Sequence, residues 1–238
     1  MLNTDLYPHI FKRKSIRKYS GTPLSTEQIG VVHAAIDNLT PLFPNEKYKL
    51  EFNPEKHRIY AYCEDTVAGN VNVGFVLQQL DLALFGAGLG RLWYGTGRTP
   101  KDIKSALPLS YAICLKVGVA AEPIARQSVA EFKRNPIGEV IDDVALQPIF
   151  EAVRLAPSAV NSQPWRFTRT GDAVHTFRKK LGMIKAAIYG RMNQGDIGIA
   201  LCHAVLALEH EGYTIKEISH DTPATAPNGY EYTATIQI

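Results

Sequence analysis

The stretch of the chain best suited to hold a ligand is a polar loop between Pro157 and Pro164. Apolar residues before this loop recur at helical spacing, and Pro157 cannot continue a helix, so the loop follows a helix end. Residues 165–169 then alternate in the manner of a β-strand. The loop offers short polar side chains and free backbone amides that could grip a planar, hydrogen-bonding molecule: Ser158, Asn161, Ser162 and Gln163. Taken alone, such a composition more often belongs to a plain turn.

A second candidate is the densest cationic run of the chain, residues 11–19 (FKRKSIRKY). Apolar residues are interleaved with the charges, which favours a segment that packs down onto the protein. Packing would aim Arg13, Ser15 and Arg17 inward together, and this combination suits a phosphate or another anion. The alternative is a solvated basic arm with weak attraction to nucleic acid or membranes.

Composition limits the class of protein. The chain has 238 residues, 45% of them hydrophobic, which suffices for one large core or two small domains. Its net charge of +3 fits a small anionic ligand and is too low to indicate nucleic acid. Cys63, Cys114 and Cys202 are far apart, which predicts buried thiols rather than disulfides or metal ligands. We see no signal peptide and no apolar run of about 18 residues, so we expect a cytoplasmic protein.

The elements that must position these residues form an α+β pattern. We predict helices over about 25–39, 71–85, 146–155 and 196–210, and strands over 58–63, 111–119, 165–169, 173–177, 213–220 and 231–238. The helix over 71–85 is apolar nearly all round, which predicts a central buried helix. The G-x-G-x-G run that follows it is not a dinucleotide fingerprint, because it follows a helix rather than a strand. The poorly patterned segments 41–54 and 177–194 are predicted to be loops near the site.

The chain contains an internal repeat. When Gly74 is aligned with Gly198, the apolar residues of the two long helices coincide, and Gly88 falls on Gly212. The two earlier helices superpose as well. The sequence therefore predicts two copies of one α+β unit, residues 1–130 and 131–238, packed about a pseudo-two-fold axis.

The two copies differ where a ligand would bind. The first copy has the cationic run but carries an apolar segment at 41–44 in place of the polar loop. The second copy has the polar loop but only residues 134–139 (RNPIGE) in place of the cationic run. We therefore expect the two halves to complete a single site together.

Two motifs resemble those of the FMN-dependent nitroreductase family. R-R-S-x-R occurs here as residues 13–17 (RKSIR), and A-P-S-x-x-N-x-Q-P-W is complete over residues 156–165. A helix that ends in Gly-Leu-Gly before an aromatic-glycine turn, residues 88–95, is a third match. Family members usually carry both motifs in the first part of one chain and pair as homodimers. This chain therefore resembles a fused, single-chain branch of the family.

The resemblance implies a nitroreductase-like FMN-binding fold. This α+β fold would have tandem duplicated halves with mixed or antiparallel sheets flanked by helices, packed as an intrachain pseudo-dimer. One FMN would be held noncovalently between the halves, with its phosphate at the cationic run and its ring at the polar loop. The implied cofactor-binding residues are Arg13, Lys14, Ser15, Arg17, Tyr94, Gly95, Thr96, Lys133, Arg134, Pro157, Ser158, Asn161 and Gln163. No metal and no catalytic side chain is implied, because the flavin itself performs the hydride transfer.

The implied activity is a ping-pong oxidoreductase reaction. NADPH or NADH would reduce FMN and leave, and a small-molecule acceptor such as a nitroaromatic or a quinone would then be reduced. The alternatives are a related flavoenzyme, such as a dehalogenase or an enone reductase, and a flavin-binding module without turnover. We expect no nucleic-acid or membrane partner, and the fused chain could act as a monomer, with further homo-oligomers left open. His203 and His210 are interpreted as packing or capping residues.

Overall fold

The computed structural model describes residues 2–95 and 108–238. Its helices are α1 (Tyr7–Ile10), α2 (Thr26–Asp37), α3 (Val67–Gly86), α4 (Ile137–Val140), α5 (Gln147–Arg154) and α6 (Met183–His210). Its strands are β1 (Tyr48–Asn53), β2 (Arg58–Cys63), β3 (Gly90–Tyr94), β4 (Ser110–Gly118), β5 (Trp165–Thr170), β6 (Ala173–Lys179), β7 (Glu217–Ser219) and β8 (Tyr230–Gln237). Single 3₁₀ turns occur at Thr4–Leu6, Val129–Glu131 and Ala159–Asn161.

The strands form two four-stranded sheets with the same topology. The orders are β1-β2-β4-β3 and β5-β6-β8-β7, and every neighbouring pair is antiparallel. Each sheet has an irregularity in its central pair, between Ala61 and Tyr62 in one and between Thr176 and Phe177 in the other. The predicted α+β fold with tandem duplicated halves is confirmed, and both sheets are antiparallel.

The two long helices, α3 and α6, cross at the centre of the molecule. A Cβ added to Gly74 would lie 2.0 Å from the carbonyl oxygen of Gly195, and one added to Gly198 would lie 1.9 Å from that of Val71. Val71 and Gly195 occupy equivalent positions when Gly74 is aligned with Gly198. The crossing therefore repeats the same backbone contact on both sides of a pseudo-two-fold axis. Since no side chain larger than glycine fits there, the two glycines that revealed the repeat are explained by packing.

Several element boundaries differ from the prediction. Helix α6 begins at Met183 rather than near residue 196, so most of the segment predicted as a loop over 177–194 is helical. Its first turns escaped recognition because they lack a buried stripe: Met183, Ile184 and Ile188 are 91%, 80% and 59% exposed.

The strand predictions also need correction in two places. Part of the segment 41–54, predicted to be a loop, forms β1, which lies at a sheet edge and pairs only with β2 among the described strands. The strand predicted over 213–220 is limited to Glu217–Ser219. Both are edge strands, where alternation of buried and exposed residues is weakest.

The cysteines are buried and unpaired, as predicted. Burial raises the pKa of Cys114 to about 11, so this residue stays a neutral thiol at physiological pH. Across residues 2–95 and 108–238, no helix has the length and apolar character needed to cross a membrane. The same ranges contain no cluster of acidic, histidine or cysteine side chains arranged to bind a metal ion.

Candidate functional site

The N-terminal arm, residues 2–18, belongs to the first half in sequence, but its residues 2–10 pack against α6 of the second half. Leu6 and Ile10 lie in the hydrophobic core that contains most of α6. The ring of Tyr7 stacks on His210 of α6 with 3.9 Å between centroids. The backbone N–H of Leu2 donates to the carboxylate of Glu209. These contacts bring the cationic run of the first half beside the polar loop of the second.

Backbone hydrogen bonds hold the cationic run against the rest of the protein. Ile16 is fully buried, and its N–H donates to the carbonyl of Arg91 at 2.9 Å. The N–H groups of Arg17 and Lys18 donate to the carboxylate of Glu122 at 2.8 and 3.0 Å. The segment therefore packs down onto the protein, as its interleaved pattern predicted, and the side chain of Arg17 is left free to face the site.

A buried charge cluster lies behind this segment. The carboxylate of Asp81 is 2.7 Å from Nε of Arg13 and 3.4 Å from Nε of Arg91, and these side chains are at most 2% exposed. One carboxylate is thus shared by two guanidinium groups, so the buried cluster carries a net positive charge. The outer nitrogen of Arg13 donates to Oγ of Ser15 at 3.3 Å, and Arg91 donates to the carbonyl of Lys14 at 3.2 Å. The cluster therefore positions the motif residues and favours a nearby anion.

An apolar cavity of about 300 Å³ opens between the halves. It is bounded by the N-terminal arm, α3, β3, β4, the loop after α5, and α6. Its lining residues are Ser15, Arg17, Asn70, Val73, Gly74, Leu92, Trp93, Gly95, Ala112, Ile113, Pro157, Ser158, Ala159, Val160, Tyr189, Arg191, Met192, Gly195, Asp196 and Ile199.

A cationic cavity of about 680 Å³ adjoins the apolar cavity. Basic side chains outnumber the two carboxylates in its lining, which consists of Arg13, Lys14, Ser15, Arg17, Lys18, Glu122, Arg126, Glu131, Lys133, Arg134, Pro157, Ser158, Val160 and Asn161. The two cavities share Ser15, Arg17, Pro157, Ser158 and Val160. They therefore adjoin each other along these residues, the first cavity mostly apolar and the second basic.

Arg134 joins the cationic cavity to the polar loop. It donates to Oδ1 of Asn161 at 2.7 Å and to the carbonyl of Ala156 at 3.0 Å, and Nδ2 of Asn161 donates to the carbonyl of Lys133 at 2.9 Å. Burial, and then the charges of neighbouring arginines including Arg13, lower the pKa of Arg134 to about 10. In residues 2–95 and 108–238, no carboxylate lies within ion-pair distance of Arg134. Arg134 thus adds a positive charge that no carboxylate of residues 2–95 and 108–238 balances directly.

The site loop, residues 157–163, has a strained backbone. Val160, Asn161 and Gln163 have φ angles of 48°, 58° and 46°, in the left-handed region that residues other than glycine rarely adopt. Such residues cost roughly 1–3 kcal/mol each and persist only when surrounding contacts impose them. One of these contacts is internal, because the N–H of Gln163 donates to Oγ of Ser158 at 2.9 Å.

Asp196 supplies further contacts to the site loop from α6. Its carboxylate accepts the N–H of Ala159 at 2.9 Å and lies 3.4 Å from Oγ of Ser162. The residue is only 4% exposed, and the loss of solvation raises its pKa to about 7. Asp196 also lines the apolar cavity, so a titratable group stands at the base of the loop.

The structure brings most of the expected site residues together. Those that line one or both cavities are Arg13, Lys14, Ser15, Arg17, Gly95, Lys133, Arg134, Pro157, Ser158 and Asn161. Tyr94 and Gln163 line neither cavity. Tyr94 is exposed at the end of β3 under the guanidinium of Arg58, and Gln163 is turned away to bind Asn135 through its amide. Thr96 lies outside the described residues.

The two histidines on α6 serve packing. His203 is fully buried, with Nδ1 2.8 Å from the carbonyl of Ala152 and Nε2 2.9 Å from the amide nitrogen of Gln78 on α3. Burial lowers the pKa of His203 to about 3, so the imidazole is neutral. His210 stacks on Tyr7. Both positions agree with the packing role expected from the sequence.

Comparison with known families identifies the chain. The family model described as "Putative TM nitroreductase" matches residues 5–208. The chain belongs to this nitroreductase family. The crystal structure of a "putative nitroreductase" from Thermotoga maritima MSB8 is similar over 100% of this chain and 94% of that chain, with 22% identity and a TM-score of 0.65. This likeness confirms the nitroreductase fold over the whole length.

Other solved structures match over about half of this nitroreductase-family chain. An FMN-dependent nitroreductase from Clostridium difficile R20291 is 15% identical and covers 52% of this chain and 94% of that chain, with a TM-score of 0.39. Comparison with curated proteins gives no significant match.

Several residues of the site were missed from the sequence of this nitroreductase-family chain. Tyr189, Arg191 and Met192 line the apolar cavity from the first turns of α6, which were predicted to be a loop. Arg126 lines the cationic cavity from a segment without a recognised motif. Asp196 could have been found, because the repeat aligns it with Asn72, one of the buried polar residues of helix α3.

Proposed function

We propose that the chain is an FMN-dependent oxidoreductase of the nitroreductase type that acts in the cytoplasm. One FMN would bind between the halves, 1–130 and 131–238. NADH or NADPH would be the reductant, and a nitroaromatic, a quinone or a similar small molecule would be the acceptor. When bound, FMN supplies hydride transfer in two alternating half-reactions.

The observation that carries this proposal is that the apolar and the cationic cavity adjoin and share five lining residues. FMN has a planar, largely apolar ring joined by a polyol chain to a phosphate, and of the two adjoining cavities one is mostly apolar and the other basic. The shared residues Ser15, Arg17 and Ser158 lie where the two cavities meet. The chemistry of the lining therefore fits FMN along its whole length.

The basic residues would bind the phosphate. Arg134 would contribute positive charge to this cavity. Its N–H groups already donate to the carbonyls of Lys133, Leu155 and Ala156 and to Oδ1 of Asn161, and burial and then the neighbouring arginines lower its pKa. Lys14 and Lys133 line the same cavity. Arg13 would act mainly by orienting Ser15, because its own charge is shared with Asp81.

The lining of the apolar cavity would orient the ring and exclude water. Arg17 reaches both cavities, and in the described ranges its side chain has no carboxylate partner. A fixed cation there would stabilise negative charge at the edge of a bound ring without any proton transfer. Pro157 and Val160 of the site loop, together with Trp93 from β3, supply apolar walls.

The test is a titration of purified apoprotein with FMN, with the yellow chromophore and its fluorescence as readouts. We expect one FMN per chain and anaerobic bleaching of the complex by NADH or NADPH. Absence of binding would contradict the cofactor assignment. A yellow complex that neither NADH nor NADPH bleaches would indicate a flavin-binding module without turnover.

Arg17→Ala provides a sharper test of the site. Because Arg17 is exposed and its side chain has no ion-pair partner in the described ranges, its removal should leave the apoprotein stable. The dissociation constant for FMN should rise by about tenfold, the loss of one charged contact. The control is Lys47→Ala, an exposed cation of the first half that lines neither cavity. Equal affinities for the two variants would place the ring edge elsewhere.

A further inference from the structure

Asp196 has an unusual set of partners for a buried carboxylate. It is 4% exposed, yet in residues 2–95 and 108–238 no lysine or arginine lies within ion-pair distance. Its hydrogen-bond partners are the N–H of Ala159 and Oγ of Ser162, both in the site loop. An ionisable group that is buried without a cation is costly, and both oxygens of Asp196 contact the same loop.

The other half of the molecule uses an amide at the equivalent position. Asn72 aligns with Asp196 in the register that aligns Gly74 with Gly198. Its Oδ1 accepts the N–H groups of Leu42 and Phe43 at 2.8 and 3.1 Å, and Leu42 aligns with Ala159 in the repeat. The same helix position therefore holds the same loop position in both halves.

The two loops differ in conformation. The segment 41–44 contains no residue with positive φ, whereas Val160, Asn161 and Gln163 in the site loop all have positive φ. The strained loop is the one that lines both the apolar and the cationic cavity. A strained conformation at a ligand site needs contacts that impose it.

We propose that Asp196 is a positioning residue: it holds the site loop in the strained conformation that presents Pro157, Ser158 and Val160 to the cofactor. This inference rests on the proposed FMN site. Asp196 acts through the loop, and its two oxygens take one backbone and one hydroxyl donor. Asn72 performs the equivalent task for a loop that lines no part of the FMN site.

The experiment compares Asp196→Ala with the matched truncation Asn72→Ala in the other half. Hydrogen exchange of the apoprotein reports on the loop, and FMN titration reports on the site. In Asp196→Ala, we expect the amide of Ala159 to exchange at least about tenfold faster and the FMN dissociation constant to rise about tenfold, because a buried acceptor of the loop is lost. In Asn72→Ala, exchange should rise at Leu42 and Phe43 while FMN affinity changes by less than about twofold.

The conservative variant Asp196→Asn separates geometry from charge. Its amide oxygen can still accept from Ala159 and its Nδ2 can donate to Ser162, so FMN affinity should stay within about threefold of the native value. An equal loss in Asp196→Asn and Asp196→Ala would overturn the positioning role. So would native FMN affinity in Asp196→Ala.

A milder variant covers the case in which Asp196→Ala does not fold. Ser162→Ala removes one of the two loop contacts and should raise the FMN dissociation constant about threefold; an unchanged constant and unchanged exchange of Ala159 would contradict the proposal. Failure of the wild-type protein to bind FMN would defeat the proposed function instead. The exchange measurement on the apoprotein would then still decide whether Asp196 holds the loop.

Discussion

Two cavities occupy equivalent places in the two halves, and one of them adjoins the cationic cavity. The counterpart cavity, of about 260 Å³, is lined by Phe43, Val67, Ala68, Val71, Arg178, His220, Glu231, Tyr232 and Thr233. Phe43 aligns with Val160 of the apolar cavity, and Val71 aligns with Gly195. A phenylalanine that T-stacks on His220 thus stands where the site loop exposes Val160. Arg178, the basic residue of this cavity, already pairs with Glu231.

The difference shows how a duplicated scaffold can keep one site and lose the other. Both halves share the sheet topology and the helix crossing. In both, a polar side chain of the long helix accepts a backbone N–H of the facing loop. Among the described residues, the cationic run, the run of left-handed residues and the arginines of the cationic cavity lie on one side. Backbone packing therefore maintains the symmetry, while the loops and the N-terminal arm give one cavity the basic lining that the proposed FMN phosphate requires.

The prediction with the greatest change in the free energy of unfolding compares Asp196 with Asn72, the residue at the equivalent position of the other half. Because the pKa of Asp196 rises from 3.8 to about 7 on folding, the native state retains a proton that the unfolded state releases between these values. The free energy of unfolding should therefore fall as the pH rises from about 4 to about 7 and then level off, by roughly 3–4 kcal/mol. Asp196→Asn should lack this fall.

Urea unfolding at a series of pH values measures this difference between wild type and Asp196→Asn. Arg17, Tyr189 and Arg191 line the same cavity as Asp196 and are present in both proteins. Asn72→Asp should add a second pH-dependent loss, because Asn72 is fully buried. Parallel stability curves for wild type and Asp196→Asn would mean that Asp196 titrates as an ordinary exposed carboxylate.

Alanine variants of the two glycines at the crossing of α3 and α6 test the pseudo-two-fold symmetry. Gly74→Ala and Gly198→Ala should each lower the free energy of unfolding by about 3 kcal/mol, because each new methyl group meets a backbone carbonyl of the facing helix. Chemical denaturation gives the comparison. The control is Gly190→Ala, in α6 with open space around it, which should be neutral or stabilising by up to about 1 kcal/mol. A large asymmetry between the two central variants would argue against a true two-fold crossing.

The prediction with the smallest change in free energy compares the FMN affinities of Arg134→Ala and Arg178→Ala. Arg134→Ala should raise the FMN dissociation constant about 100-fold, or about 2.7 kcal/mol, because it removes a cation from the cavity proposed to bind the phosphate. Arg178→Ala, at the counterpart cavity, should change it less than about twofold, since that side chain is paired with Glu231. Titration of both variants with riboflavin, which lacks the phosphate, separates the contribution of the phosphate from that of the ring. If Arg134→Ala weakens riboflavin and FMN equally, the phosphate does not bind at this residue.

Local patterns predicted much of the fold. Ser25 caps α2 in a capping box with Gln28, an arrangement that the local sequence before an apolar stripe favours. The apolar character of α3 predicted a central buried helix, and 16 of its positions from Gly69 to Phe85 are buried. Such predictions succeed because burial leaves a regular trace in the order of residues. The first turns of α6 and the edge strand β1 have no such trace, since their surroundings are irregular or exposed.

The sequence by itself determined the repeat, the family motifs and the separation of the cationic run from the polar loop. It did so because glycines at a close crossing and residues that contact a ligand are restricted in type as well as in position. Only the tertiary structure decided that the charge of Arg13 is shared with Asp81, that Gln163 turns toward Asn135, and that Asp196 holds the site loop. These are contacts between residues that are distant in the chain. Which of these residues meet depends on how the N-terminal arm, the helices and the site loop pack. No local pattern of residues encodes that packing.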